Sequence, residues 1–355
     1  MKSILKLLAV LIIVVVVYFS AWPISVDPVV EFVPQDPPEM TGVYAPNQAL
    51  QKSKMFGGPI GHGPEASAID QNGIVYTGLN NGDIVAITPD GKLAVKLVNT
   101  GGRPLGMVIH EGDLFVADAK KGLLRVTTGT REITVLTDSV NGEKIPFVDD
   151  LDVTADGMVY FSDASAYGFA DHLLDLWDGR PTGRLLSYNI ETQETKVVVE
   201  GLFFANGVAI GPSDEYLLVN ETWAYRTQRY WLKGDKAGQM EIFADNLPGM
   251  PDNVTFNGTD TFWFGLPAGR DAALQTLQKS ASARNIYLRI PESLRPAPPT
   301  GAGLVLGLDL DGKPTHLLQD PSGEFCHTIT GAKQRGDHLL ITTLVGDSVR
   351  IVDIQ

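Results

Sequence analysis

Asp156-Gly157-Met158-Val159-Tyr160-Phe161-Ser162-Asp163 reads as a turn leading into a short buried strand, and the fold follows from how often that phrase returns. Turn formers followed by four or five apolar or aromatic residues recur at 72–77, 111–118, 214–219, 260–265 and 336–342, which makes six copies. A second strand follows most of them, as at Gly122-Leu123-Leu124-Arg125-Val126, Gly183-Arg184-Leu185-Leu186-Ser187-Tyr188 and Val349-Arg350-Ile351-Val352. A β-sandwich also has short strands, but radial repetition explains the similar units better. The pattern predicts an all-β chain folded as a six-bladed β-propeller, the copies being middle strands of successive blades. Copies stand from 39 residues apart (Tyr76 to Phe115) to 77 apart (Trp263 to Leu340), so some blades carry insertions.

Composition agrees with a large folded core. Of 355 residues, 44% are apolar and 20% charged, which excludes disordered, collagenous and disulfide-stapled classes. Asp and Glu outnumber Lys and Arg by 42 to 28, and the net charge of −14 argues against a nucleic-acid partner, whose phosphates it would repel. Cys326 is the only cysteine and has no intramolecular partner.

Residues 1–22 read as a signal anchor. The 19 residues from Ile4 to Trp22 are long enough to cross a hydrocarbon core at about 1.5 Å per residue, with Lys6 able to snorkel. A cleavable signal peptide is the rival, since Ser20 and Ala21 follow the apolar run, but no A-x-A site precedes Pro23. Lys2 and Lys6 at the N-terminal side of the span predict a single-pass topology, N-terminus in the cytoplasm and the propeller periplasmic, extracytoplasmic or lumenal. Residues 23–50, with Pro23, Pro28, Pro34, Pro37 and Pro38, read as an extended stalk, and 51–355 as the propeller.

Three segments precede the first strands of blades: Phe147-Val148-Asp149-Asp150, Phe204-Ala205-Asn206-Gly207 and Met250-Pro251-Asp252-Asn253. Gly63-Pro64-Glu65 sits in the same phase before the first blade. Singly, such residues are turn formers. Repeated in phase, they bring oxygen donors from separate blades to one end of the channel. Carboxylate and carbonyl oxygens without histidine or thiolate suit a hard cation, Ca²⁺ before Mg²⁺ or Mn²⁺.

These segments, together with Thr41-Gly42-Val43-Tyr44-Ala45-Pro46-Asn47, Gly102-Arg103-Pro104-Leu105-Gly106 and Asn246-Leu247-Pro248-Gly249, carry a resemblance over nearly the whole chain. It resembles the strictosidine synthase-like branch of the six-bladed propeller superfamily that also holds paraoxonases, gluconolactonases and diisopropylfluorophosphatase. The resemblance implies a central metal site at Glu65, Asp149, Asn206 and Asp252, with Asn253 able to share the role. It also implies hydrolysis of small esters or lactones, although substrate varies widely across such relatives. Four departures matter. Asp149-Asp150 stands where many relatives have Asn-Asp, so three carboxylates around a divalent ion leave about −1, favouring tight binding and a slower hydrolase. Ala66 replaces the aspartate that a paraoxonase-like second calcium uses, and the paraoxonase histidine pair is missing at 104–106 and 117–119. The glutamate on which strictosidine synthase relies falls nearest His327, which makes a condensing lyase the weakest reading and leaves His327 as a candidate acid or base.

Topology adds a lid. Chain direction alternates along a blade, so insertions between second and third strands, at 164–182 and 268–303, lie at the ligand end, with helices expected over 171–177 and 272–278. Apolar residues there fit satellite core on the rim, and an apolar cover favours a lipophilic ester or lactone. The expected mechanism is metal-assisted hydrolysis with Asp252 or Asp149 as base. The alternative is a membrane-tethered binding or scaffold propeller that keeps its cation for structure. Asn220, Asn253 and Asn257 begin glycosylation sequons, with Asn253 expected at the metal instead.

Overall fold

The computed structural model describes residues 2–295 and 303–354, so residues 296–302 of the fifth-blade insertion lie outside it. Six four-stranded antiparallel sheets follow one another along the chain. Each of the repeated phrases forms the second strand of a blade: Val75–Gly78, Asp113–Asp118, Met158–Asp163, Tyr216–Glu221, Phe262–Leu266 and His338–Thr343. First strands touch their neighbours in a closed ring around a channel, whose wall takes residues from all six. The sixth blade is completed from the other end of the chain: Lys54–Phe56 pairs with Val349–Asp353, and Arg350 reaches Ser53 through Nε to Oγ at 2.8 Å.

Apolar faces of successive blades pack on each other, which is why second and third strands read as almost unbroken apolar runs. Tyr216 and Leu218 of blade four, for example, pack with Phe262, Phe264 and Leu306 of blade five. Trp263, 1% exposed, joins blades five and six and donates its indole N–H to Gln334 Oε1 at 2.8 Å.

The two insertions fold at the ligand end as the topology requires. They supply helices Leu173–Asp178 and Ala272–Gln278, and a third, Ala281–Arg289, that the sequence reading did not anticipate. Asp271 and Ser280 cap the latter two, accepting from Leu274 N and Ala283 N. Their apolar faces make a separate core in which Leu176, Trp177, Leu274 and Leu288 meet Tyr225 and Met250. Val26 and Phe32 of the proline-rich segment enter that same core, Val29 N donates to Asp178 O, and Arg284 holds Val29 O.

Asp175 is the polar centre of the lid, accepting from Ser165 Oγ at 2.9 Å and from Thr182 Oγ1. Burial pushes its carboxyl from 3.8 up to about 6, against the pull of the two hydroxyls. A raised folded value means the folded state holds the proton more tightly. Stability from this group is therefore present at low pH and lost as pH rises from about 4 to 6, by about 2 kcal/mol. Asp175→Asn is expected to remove that slope. Thermal midpoints of both proteins between pH 4 and 6.5 test it, and parallel curves would count against it.

Helix Lys2–Ala21 precedes these elements. Its window Ser3–Ser20 has mean hydropathy 2.6 and makes it long and apolar enough to cross a membrane.

Candidate metal centre

Two of the four candidate segments, those of Asp149 and Asn206, share an irregularity of the first strand that the first and fifth blades do not show. Strand register shifts between Val148 and Leu151, between Ala205 and Val208, and likewise at Pro104/Met107 and Ile329/Gly331. A bulge turns residues that would point between blades toward the axis. Asp149 and Asn206 therefore lie inside their first strands, while Glu65 and Asp252 stand just before Ser67–Ile69 and Val254–Phe256. Phe204, two residues before Asn206, takes a left-handed φ of 61°, a conformation that costs about 1 kcal/mol and turns the chain sharply into the bulge.

Small residues make the convergence possible. An added Cβ on Gly106 would lie 2.1 Å from Asp150 Oδ1, and one on Gly207 would lie 2.4 Å from the Asp252 carbonyl oxygen. The second neighbour is backbone and cannot move aside. Gly207→Ala is expected to cost about 1–3 kcal/mol and to weaken cation retention, as urea unfolding with and without Ca²⁺ would show. Unchanged unfolding would mean that blade four need not approach blade five so closely.

All five candidate ligands are buried, Glu65, Asp149, Asn206, Asp252 and Asn253 ranging from 2% to 9% exposed. Asn253 Nδ2 donates to Glu65 Oε1 at 2.8 Å, and Thr342 Oγ1 donates to the Glu65 carbonyl at 2.7 Å. Burial pushes Glu65 up to about 7, opposed by the Arg103 charge and the Asn253 bond. Asp149 and Asp252 are held well above the carboxylate range, first by burial and then by the Glu65 charge; the Asn206 amide draws Asp252 back down. Each carboxylate thus feels acids from other blades. Among the described residues no group of three or more His, Cys, Asp or Glu is placed to hold an ion, so an ion here would also have to draw on the amides. Three buried oxygens of these five residues have no hydrogen-bond partner: Glu65 Oε2, Asn206 Oδ1 and Asn253 Oδ1. Uncompensated oxygen acceptors beside mutually repelling carboxylates are of the chemistry that a hard cation such as Ca²⁺ would take.

The sequence reading missed Arg103. It is 1% exposed, donates from Nη1 to Gly63 O at 2.9 Å, and leaves Nε and Nη2 unpartnered. Burial lowers its pKa while Glu65, Asp149 and Asp118 hold it up. Its charge alters the expected balance: three carboxylates, one divalent ion and one guanidinium sum to zero. Asp150, buried beside them, adds no charge when protonated, and burial pushes its carboxyl well up.

Also missed were the acids that close the second strands. Asp118 accepts from Arg103 N at 2.9 Å, Asp163 from Phe147 N at 3.1 Å and Glu221 from Phe203 N at 3.0 Å. Each ties the segment leading to the bulge of its own blade, and Asp163 and Glu221 are themselves held by Arg184 and Arg226. The signal was an acid ending the apolar run in three successive copies.

His327 is half-buried, and its Nδ1 meets Thr328 Oγ1 at 3.5 Å; the bulged residue of blade six is Thr330. Asn220 is fully buried and donates to Asp252 O, which bars it and Asn253 from carrying sugar. Below the acids the channel encloses about 60 Å³. Above them Phe147 and Phe204, 5.8 Å apart, meet Phe169 and His172 of the lid, with Trp223 4.7 Å from Phe204.

Solved propellers superpose on this architecture. A gluconolactonase from Xanthomonas campestris matches with TM-score 0.63 at 15% identity over 90% of this chain and 96% of its own, and a calcium-binding regucalcin from Agrobacterium tumefaciens with TM-score 0.60 at 13% over 85% and 92%. At such identities the fold alone is shared. Sequence goes further: the strictosidine synthase profile matches residues 149–235 and the strictosidine synthase-like N-terminal profile residues 42–87. Strictosidine synthase-like protein 6 of Arabidopsis thaliana is 34% identical over 80% of this chain and 77% of its own length. The adipocyte plasma membrane-associated protein of Gallus gallus is 31% identical over 86% and 79%. Identity sustained across four-fifths of relatives from a plant and a bird places this chain in the strictosidine synthase-like family.

Proposed function

We propose that the protein is a membrane-anchored hydrolase that uses a divalent cation, calcium before magnesium or manganese, to cleave esters or lactones, lipophilic ones above all. The observation that carries this reading is the meeting of Glu65, Asp149 and Asp252 from three blades with amide oxygens that have no donor. A cation bound there supplies polarisation of a carbonyl oxygen and stabilisation of the oxyanion. Asn253 fixes Glu65 through one oxygen and leaves the other free. Asp252 or Asp149 takes the proton of the attacking water at a carboxylate oxygen, and His327 is the remaining candidate acid. Residues 4–22 hold the protein in the membrane with the N-terminus in the cytoplasm and the propeller on the periplasmic, extracytoplasmic or lumenal side. The gluconolactonase and the calcium-binding regucalcin that share the fold support this chemistry.

The rival is a scaffold propeller whose cation ties blades together, favoured by the groups that act on Glu65, Asp149 and Asp252, which are acids, Arg103 and amides with no histidine among them. Chelation separates the two. Turnover of phenyl acetate or a long-chain lactone should vanish with chelator and return with Ca²⁺, whereas a scaffold would lose thermal stability and have no turnover to lose.

A further inference from the structure

We infer that the lid end of the propeller lies against the membrane, so that the channel mouth opens toward the bilayer and the substrate is an ester or lactone dissolved in lipid. This rests on the reading of residues 4–22 as a membrane span and, for the substrate, on the proposed hydrolysis.

Chain length sets the distance. The apolar helix ends at Ala21, and Val26, 7% exposed, is already packed in the lid core with Trp177 and Leu288. Five residues reach at most about 17 Å when fully extended, so the lid cannot lie farther than that from where the chain leaves the membrane. The opposite end of the channel is a blade height further away.

Direct contacts agree. Tyr18 Oη donates to the Arg289 carbonyl at 2.8 Å, and Arg289 Nε donates to Trp22 O at 2.9 Å. Arg289 ends helix Ala281–Arg289, so this lid helix rests on the last turn of the apolar one. A cation at the final carbonyls of a helix is favourable.

Surface composition supplies an independent argument. Among the described residues, the exposed large apolar side chains on the loops and insertions of the propeller lie mostly at the lid end, Leu173, Ile286 and Leu294 on the insertions and Phe325, Leu344 and Val345 on loops of blade six, while Met55, Val95, Val135, Met240 and Ile242 lie on strands at the blade edges. Leu294 is 72% exposed and Ile286 52%. Turns at the opposite end carry only Leu93. Apolar residues on both sides of the mouth, beside an apolar helix, match a lipid surface as their partner.

The test uses the full chain in phosphatidylcholine vesicles. A polarity-sensitive NBD probe is placed on Ile286→Cys, on Val345→Cys or, at the far end, on Glu191→Cys, with Cys326 left in its buried place. Emission at 286 and 345 should shift to the blue and be quenched by spin-labelled lipid, while that at 191 should do neither. Equal, water-like emission at all three overturns the orientation. For the substrate, Ile286→Lys combined with Leu294→Lys should lower turnover of a vesicle-borne long-chain lactone about tenfold and leave that of water-soluble phenyl acetate unchanged. Equal turnover ratios for both substrates overturn access from lipid. If wild type hydrolyses neither in Ca²⁺, the hydrolase reading fails while the fluorescence still decides the orientation.

Discussion

Replacing Asp252 by Ala is expected to abolish cation retention and, with it, all turnover of esters or lactones. The reasoning is electrostatic. Asp252 is buried among acids from other blades, and its oxygens are useful only when an ion separates them. In chelator the variant should be no less stable than wild type, because a repelling charge has gone. In Ca²⁺ the order should reverse: at a hundredfold excess over Kd wild type gains about 2.7 kcal/mol, and the variant gains little. Calorimetry in both conditions, with equilibrium dialysis for the ion, measures this crossing. A variant that keeps full turnover, or that still gains midpoint with Ca²⁺ as wild type does, would remove Asp252 from the site.

Arg103→Met should produce the largest loss in the metal-free protein. The guanidinium is 1% exposed and is the counter-charge to Glu65 and Asp149. Removing one partner from a buried charge cluster typically costs about 3–5 kcal/mol, because the remaining charges are stranded. Protonation of the carboxylates would relieve part of that, so the deficit should grow as pH rises from 5 to 8. Saturating Ca²⁺ should shrink it, since the ion supplies positive charge at the same place. Denaturant midpoints for wild type, Arg103→Met and Arg103→Lys in chelator and in Ca²⁺ would display the pattern. Equal midpoints in chelator would show that the carboxylates manage without the arginine.

The architecture was legible because strand periodicity and turn residues are local, and six copies averaged out the ambiguity of each. Glu65, Asp149, Asn206 and Asp252 stood out in the sequence because they share a phase at the entrance of their blades, and the structure buries all four. Arg103 was not, because its role comes from lying across a blade boundary beside Gly63 and Glu65, and nothing near position 103 in the chain announces that. Asp118, Asp163 and Glu221 were visible but looked like turn formers, since a strand-ending acid and a latch on the neighbouring segment are spelled alike. Helix Ala281–Arg289 escaped because its pattern is inverted in part, with Arg284 buried against Trp177 O and Val29 O and Ile286 left uncovered by the rest of the chain. The prolines of 23–50 predicted extended chain, but extension says nothing of what covers it. Val26 and Phe32 find their cover on lid helices some 150 to 250 residues later.

The closure of blade six by Lys54–Phe56 has a consequence for biosynthesis. That strand is among the first parts of the propeller to be made, yet its partner, Val349–Asp353, emerges last. Until then every nascent chain displays an unpaired edge, a template for mispairing with another unfinished copy. Premature stop codons in the final blade should accordingly yield aggregates and degradation rather than a smaller working protein.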